Sequence, residues 1–189
     1  MKKLTITSFV LFISLAATAQ DVYMQGYGAV QVRAGNVNGG NNVLIGGYGG
    51  WLVNERLMIG AGGFGTLQDI AVQTEGAPSN YEMGYNGLVT EYNLPLRHRW
   101  HLVGGALIGG GRFETELEDK RSLRSDIFVA EPHLQLIYAL CDWVQAGAGL
   151  HYRWVGSDEL PNTMDSQDLR DFSFSLNIKV GSFGKAKSE

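Results

Sequence analysis

The chain has 189 residues, a formal net charge of -4, one cysteine and 26 glycines against four prolines. The acidic balance argues against nucleic acid as a partner, because phosphate binding needs a basic face. The single Cys141 excludes an internal disulfide. Abundant glycine without a collagen or heptad period favours a chain of many strands over a helical bundle.

The first 19 residues have the pattern of a secretory signal peptide. Lys2 and Lys3 precede an apolar run over residues 4–16, and an A-x-A cleavage site follows at residues 17–19. We therefore predict cleavage after Ala19 and a single mature domain over residues 20–189, with a formal charge of -6 once the two lysines are removed. No run of about 18 apolar residues follows, so the sequence predicts no transmembrane helix.

Alternation of apolar and polar residues predicts eight strands in the mature chain. The predicted strands cover residues 22–33, 43–53, 57–67, 81–92, 100–113, 126–140, 143–154 and 172–180. The last strand is the clearest, with Phe172, Phe174, Leu176, Ile178 and Val180 opposite Ser173, Ser175, Asn177 and Lys179. In the second, third and fifth strands glycine leaves the facing ambiguous. Pro132 interrupts the sixth strand, and because a closed barrel has no free edge for a missing donor, we predict a bulge there.

The connections between these strands alternate in length. Short turns are predicted at residues 54–56, 95–97 and 141–142, and longer polar loops at 35–42, 68–80, 114–125 and 156–169. This rhythm places all short turns at one end and all long loops at the other, as in outer-membrane barrels with periplasmic turns and extracellular loops. The predicted fold class is all-β, an eight-stranded antiparallel up-and-down transmembrane β-barrel.

The large aromatic residues fall near the ends of the predicted strands. One set lies beside the short turns: Trp51, Tyr92, Trp100, Tyr138, Trp143 and Phe183. A second set lies toward the long loops: Phe113, Phe128, Tyr152, Trp154 and Phe172. Two aromatic bands of this kind are typical of the two membrane interfaces. The alternative is that aromatic residues simply favour strands.

The sequence resembles the small eight-stranded outer-membrane barrels of the OmpX/OmpA type, especially the outer membrane β-barrel proteins of Bacteroidetes. The resemblance lies in the signal ending AATAQ, the hairpin GGYGGWLVNERLMIGAGGFG and the closing strand FSLNIKVGSFG. It implies a monomer in the outer membrane of a Gram-negative envelope, in contact with lipid and lipopolysaccharide and inserted by the barrel-assembly machinery. Many such barrels end on an aromatic residue, whereas here six residues follow Phe183.

The inward row of an eight-stranded barrel has room for side chains and little else. We predict an interior polar network, without catalytic, metal or cofactor role, formed by Arg33, Glu82, Asn86, Glu131, His133, Gln135, His151, Arg153, Asn177 and Lys179. Hydrogen bonds among these groups would allow the barrel to bury its polar face. The predicted function is structural, or binding through the long loops.

Three other functions stay open. A lipid-modifying enzyme would need a nucleophile and a base, for which Ser157, Ser173 and His151 are available without diagnostic spacing. Calcium could bind the acidic residues of the last loop, Asp158, Glu159, Asp165, Asp168 and Asp171, although they lack EF-hand spacing. A soluble lipocalin-like carrier would show the same alternation, but a dry ligand cavity would then have to bury Glu131, His133 and Lys179.

Overall fold

The computed structural model describes residues 23–37, 40–67, 70–74, 77–116, 122–156 and 170–183. The predicted signal peptide lies outside these residues. The described chain contains nine strands: β1 (Met24–Val37), β2 (Gly40–Val53), β3 (Leu57–Thr66), β4 (Ile70–Thr74), β5 (Ala77–Pro95), β6 (Trp100–Glu116), β7 (Ser122–Cys141), β8 (Val144–Gly156) and β9 (Asp171–Gly181). No helix long and apolar enough to cross a membrane occurs in this part of the chain.

Eight of these strands close into a barrel. The sheet order is β3-β2-β1-β9-β8-β7-β6-β5-β4, and a further pairing of β3 with β5 joins its two sides. Strand β4 pairs along its length with the beginning of β5 and stands outside the closed wall. Every pairing is antiparallel. The predicted eight-stranded antiparallel barrel is therefore confirmed.

The stagger of the barrel follows from its registers. A path of paired residues runs from Gln25 through Leu52, Met58, Glu91, Gly105, His133, His151 and Ser173, and it returns to β1 at Gly35 rather than at Gln25. The offset of ten residues along β1 means that the strands are strongly tilted. Because of this tilt, residues far apart in sequence meet at the same depth inside the barrel.

The strands extend further into the predicted loops than alternation indicated. Strands β1 and β2 remain paired as far as Val37 and Gly40, and β6 and β7 as far as Glu116 and Ser122. The predicted loop at 68–80 contains β4 and the first residues of β5. Backbone pairing does not require an apolar face, so polar hairpins can continue beyond the barrel wall. The loop at 157–169 lies outside the described residues.

The predicted bulge at Pro132 is wrong. The register between β7 and β8 is the same at Ala130, paired with Trp154, and at His133, paired with His151. Between these two pairs, only Glu131 and Pro132 are unpaired with β8. Pro132 remains paired with Ala106 of β6. A proline lacks one N–H donor, and here the barrel loses bonds to one neighbour without inserting an extra residue. The register shift lies instead between Ala139 and Cys141.

The two faces of the wall differ sharply in polarity. On β9 the outward residues Phe172, Phe174, Leu176, Ile178 and Val180 are all about half exposed or more, whereas Asp171, Ser173, Ser175, Asn177 and Lys179 are buried. The same outward apolar row continues on β7 and β8, at Leu134, Leu136 and Leu150. Polar and charged residues therefore line much of the interior while apolar residues cover the outer face, which is the reverse of a soluble barrel.

Candidate functional site: the polar interior of the barrel

The inward rows place many polar side chains inside the wall. We call the following buried residues the interior polar network: Gln31, Arg33, Glu91, Glu131, His133, Gln135, His151, Arg153, Asp171, Ser175, Asn177 and Lys179. Most of the residues predicted from the sequence are among them. Strand alternation explains this, because each of these residues has the parity opposite to an exposed apolar row.

The prediction was wrong for Glu82 and Asn86, which are exposed on the outer face of β5. The inward row of β5 carries Met83, Tyr85 and Val89, and it includes Glu91, which sequence reasoning missed. Glycine and tyrosine occur at both parities of this strand, so alternation gave the wrong face. The exposed apolar residues Leu88 and Tyr92 have the parity of Glu82 and would have indicated the correct one.

Glu131 is the acceptor at the centre of the half of the network nearer the long loops. It forms a buried ion pair with Arg33, accepts a hydrogen bond from the Tyr85 hydroxyl at 2.7 Å, and lies 3.2 Å from Nδ1 of His151. Arg33 is held further by Nε donating to the Gln31 side chain at 2.8 Å and by its guanidinium stacking 3.5 Å from the centre of the Phe64 ring. The carboxylate is thus fully surrounded by donors.

Glu91 is the central acceptor in the half of the network nearer the short turns. It accepts hydrogen bonds from Nζ of Lys179 at 2.8 Å, Nε2 of Gln135 at 3.3 Å and the Tyr27 hydroxyl, and lies 3.2 Å from Nε2 of His133. Gly105 faces this group from β6. A Cβ there would lie 2.7 Å from Nε2 of His133, so the absence of a side chain makes room for the contact between His133 and Glu91.

The two carboxylate centres approach each other at the histidines. The rings of His133 and His151 are 5.1 Å apart. The Gln135 side chain also accepts a hydrogen bond from Nδ2 of Asn177 at 3.0 Å. Each carboxylate therefore has its own set of hydrogen bonds, and the two sets meet at the contact between the histidine rings.

The buried formal charges of the interior are balanced. Three cations, Arg33, Arg153 and Lys179, face three anions, Glu91, Glu131 and Asp171, among the buried described residues. Arg153 and Asp171 approach to 3.8 Å, an ion pair too long for a hydrogen bond. Equal numbers of opposite charges are needed because an unpaired ion is very costly to bury.

The two ends of the interior differ. Toward the long loops the interior is closed by an apolar layer of Leu44, Met83, Phe113, Ile127, Val129 and Val155, all nearly inaccessible to solvent. Toward the short turns there is a cavity of about 170 Å³, with Lys179, His101 and Gln145 among the residues that line it. The network is therefore sealed on the long-loop side and reachable from the short-turn side.

One part of the network has the connectivity of a hydrolase triad. Nε2 of His151 lies 2.9 Å from the Ser175 hydroxyl, and Nδ1 of the same ring faces Glu131. All three residues are essentially inaccessible to solvent. A nucleophile requires space for a substrate beside it, and the cavity lining does not include Ser175 or His151. The predicted nucleophile Ser173 is buried with no hydrogen-bond partner in the part of the chain that the structure describes, which does not include Ser157.

The predicted acidic calcium ligands Asp158, Glu159, Asp165 and Asp168 also lie outside the described residues. Asp171 is buried beside Arg153. Among the residues that the structure does describe, no group of three or more acidic, histidine or cysteine side chains is arranged to hold a metal ion.

The aromatic residues mostly lie on the outer face near the strand ends. At the short-turn end Trp51, Tyr92, Trp100 and Trp143 are exposed, and Trp100 contacts Tyr138 with ring centres 4.8 Å apart. At the other end Tyr152 contacts Phe172 at 4.6 Å and Phe128 contacts Trp154 at 6.1 Å.

Two of the aromatic predictions were wrong. Phe113 points inward and is fully buried. Phe183 lies beyond β9 and turns into the barrel mouth, where its ring packs 5.4 Å from that of Tyr27. Phe183 has the parity of the inward residues of β9, and its contact with Tyr27 holds it at the mouth after the strand has ended.

Solved structures of low sequence identity share this fold. Neisserial surface protein A superposes with a TM-score of 0.63 at 13% identity, over 85% of this chain and 99% of that one. The N-terminal β-barrel domain of Pseudomonas aeruginosa OprF gives 0.57 at 11% identity, over 84% and 99% of the two chains. Ail, the attachment invasion locus protein of Yersinia pestis, gives 0.51 at 9% identity, over 86% and 99%.

No protein-family model matches the chain, and no curated protein matches its sequence. The fold is that of the small eight-stranded outer-membrane barrels of the OmpX/OmpA type. The more specific resemblance to the barrels of Bacteroidetes stays a prediction.

Proposed function

We propose that this chain is a non-enzymatic, monomeric outer-membrane barrel that acts through its long loops, with the interior polar network serving to fill and stabilise the wall. The observation that carries the proposal is the inverted polarity of the barrel. Charged groups such as Glu131 and Lys179 are buried inside, while the outer face carries exposed leucine, isoleucine and phenylalanine. Only a lipid surround would favour that outer face.

The aromatic residues support the same placement. Exposed tryptophans at the short-turn end and aromatic pairs at the other end are where lipid headgroups would lie. The short turns would then face the periplasm and the long loops the exterior. Lipid, lipopolysaccharide and the barrel-assembly machinery are the partners that this placement implies.

The soluble-carrier alternative is disfavoured by the same interior. A carrier of apolar ligands needs a dry cavity inside the barrel, whereas here that volume is occupied by hydrogen-bonded charged and amide side chains. The outer apolar face would also be unprotected in water.

The membrane placement is tested by solubility and gel mobility. The folded protein is expected to remain in the detergent-extracted envelope fraction and to migrate faster on an unboiled gel than after boiling, because all backbone bonds of the wall close within the barrel. An engineered soluble lipocalin, carried through the same fractionation, is the control. Recovery in the periplasmic supernatant with no mobility change would contradict the proposal.

A lipid-modifying hydrolase is the second candidate, favoured by the contacts among Ser175, His151 and Glu131. The burial of Ser175 argues against it, so we expect a fluorophosphonate probe to leave the folded barrel unlabelled in detergent and in lipid vesicles. A Ser175→Ala variant provides the baseline. Labelling of the native protein that disappears in this variant would instead establish an accessible nucleophile.

A further inference from the structure

The cavity at the short-turn end is bounded by well-placed side chains. Its apolar walls are the Tyr27 ring, Leu52, Pro95 and Phe183. Phe183 is fixed there by its ring contact with Tyr27 and by its backbone N–H donating to the carbonyl of Asp142 at 3.3 Å. At about 170 Å³, the cavity could hold about five or six water molecules or one small organic molecule.

Polar groups converge on the inner end of this cavity. Lys179 lines it, and its ammonium has three N–H donors, of which Glu91 accepts one at 2.8 Å. Gln145 is only 8% exposed, and its amide has no hydrogen-bond partner among the described residues, although it lines the cavity. The amide of Gln145 is not among the fully buried unpartnered groups, so it is reached from the cavity, where water or a bound small molecule can pair with it.

A cation, Arg56, lies at the rim of the cavity in the turn between β2 and β3. Asn54 and Glu55 both have positive φ, at 51° and 61°, as the two central residues of a hairpin turn that is closed by the Arg56 N–H donating to the Val53 carbonyl at 3.1 Å. The Asn54 carboxamide oxygen accepts from the backbone N–H of Tyr23 at 3.3 Å. This turn places Arg56 on the cavity, where it has no ion-pair partner among the residues that the structure describes.

We propose that this cavity binds a small carboxylate with a short apolar body. Lys179 and Gln145 would donate to its oxygens, Arg56 would balance its charge at the rim, and Leu52 and Phe183 would contact its hydrocarbon part. Glu91 remains bound to Lys179 on the opposite side, and Glu55 on the rim disfavours ligands with more than one negative charge. The site faces the short-turn end and is separate from anything that the long loops bind.

The test is a titration of the folded barrel in non-ionic detergent with sodium butyrate, followed through the backbone amide NMR signals of Asn93, His101 and Gln145. Saturable binding at one site is expected. Butyramide, which has the same shape without the charge, should bind about tenfold more weakly or worse, because a hydrogen bond to a charged group contributes more than one to a neutral group. Inorganic phosphate should also bind more weakly, since it cannot use the apolar walls.

Matched variants locate the site. Arg56→Gln should weaken butyrate binding several-fold, while Arg97→Gln, an exposed arginine in another short turn that does not line the cavity, should not change it. Gln145→Leu should abolish binding, with folding checked by gel mobility. No saturation by butyrate, equal binding of butyramide or phosphate, or equal effects of the two arginine variants would overturn the proposal.

Discussion

Replacing Glu131 by alanine is expected to lower the free energy of unfolding by about 3 to 5 kcal/mol, because it leaves the buried Arg33 guanidinium without its counter-charge. The loss also strands the Tyr85 hydroxyl, which donates to Glu131 at 2.7 Å. The apolar layer at the long-loop end prevents water from replacing the carboxylate. The measurement is urea unfolding of the barrel in lipid vesicles, with the folded fraction read from gel mobility.

Glu114→Ala is the matched control for this variant. Glu114 also forms an ion pair with an arginine, Arg124, across β6 and β7, but the Arg124 side chain is 61% exposed. Exposed pairs contribute little, so this control should change the unfolding free energy by less than about 1 kcal/mol. Similar losses in Glu131→Ala and Glu114→Ala would show that the interior pair has no special structural role.

The alternation of apolar and polar residues predicted some strands more completely than others. On β8 and β9 every second residue is apolar, so alternation gave both the strand and its facing, including His151, Arg153 and Lys179 as inward residues. Glycine-rich strands gave the element but not the face. A glycine satisfies either parity, because without a side chain it has no preference for lipid or interior.

Glu91 was missed on β5, a strand whose face alternation did assign, but wrongly. It is the second carboxylate centre of the interior, yet its strand was assigned the opposite face, which brought in Glu82 and Asn86 instead. Ser175 was missed as the partner of His151 for a different reason. Its contact depends on the stagger between β8 and β9, and the parity of one strand carries no information about stagger.

The positions of Phe183 and Pro132 needed tertiary information of other kinds. Phe183 lies two residues beyond the end of β9, and its turn into the mouth depends on the contact with Tyr27 from the other end of the chain. At Pro132 the choice lay between a bulge and an interrupted ladder. Residues on both sides of the proline keep one register with β8, so the local gap replaces an insertion.

The pair of Glu91 and Lys179 should respond asymmetrically to substitution. Lys179→Met removes the counter-charge of Glu91 but leaves its carboxylate with donors from Gln135 and the Tyr27 hydroxyl, so the loss in unfolding free energy should be about 1 to 2 kcal/mol. Glu91→Gln leaves Lys179 without any carboxylate and should cost more, up to about 3 kcal/mol. The cost stays below that of Glu131→Ala because Lys179 lines the cavity, where water can reach its ammonium.

The double variant Lys179→Met with Glu91→Gln separates charge pairing from packing. Removing both charges leaves neither ion buried alone, so the double variant should lose less stability than the sum of the two single losses, with a coupling energy of about 1 to 3 kcal/mol. All four proteins are compared by urea unfolding in vesicles of one lipid composition. Additive losses would mean that Glu91 and Lys179 act independently. A larger loss for Lys179→Met than for Glu91→Gln would mean that the carboxylate tolerates the loss of its partner less well than the ammonium does.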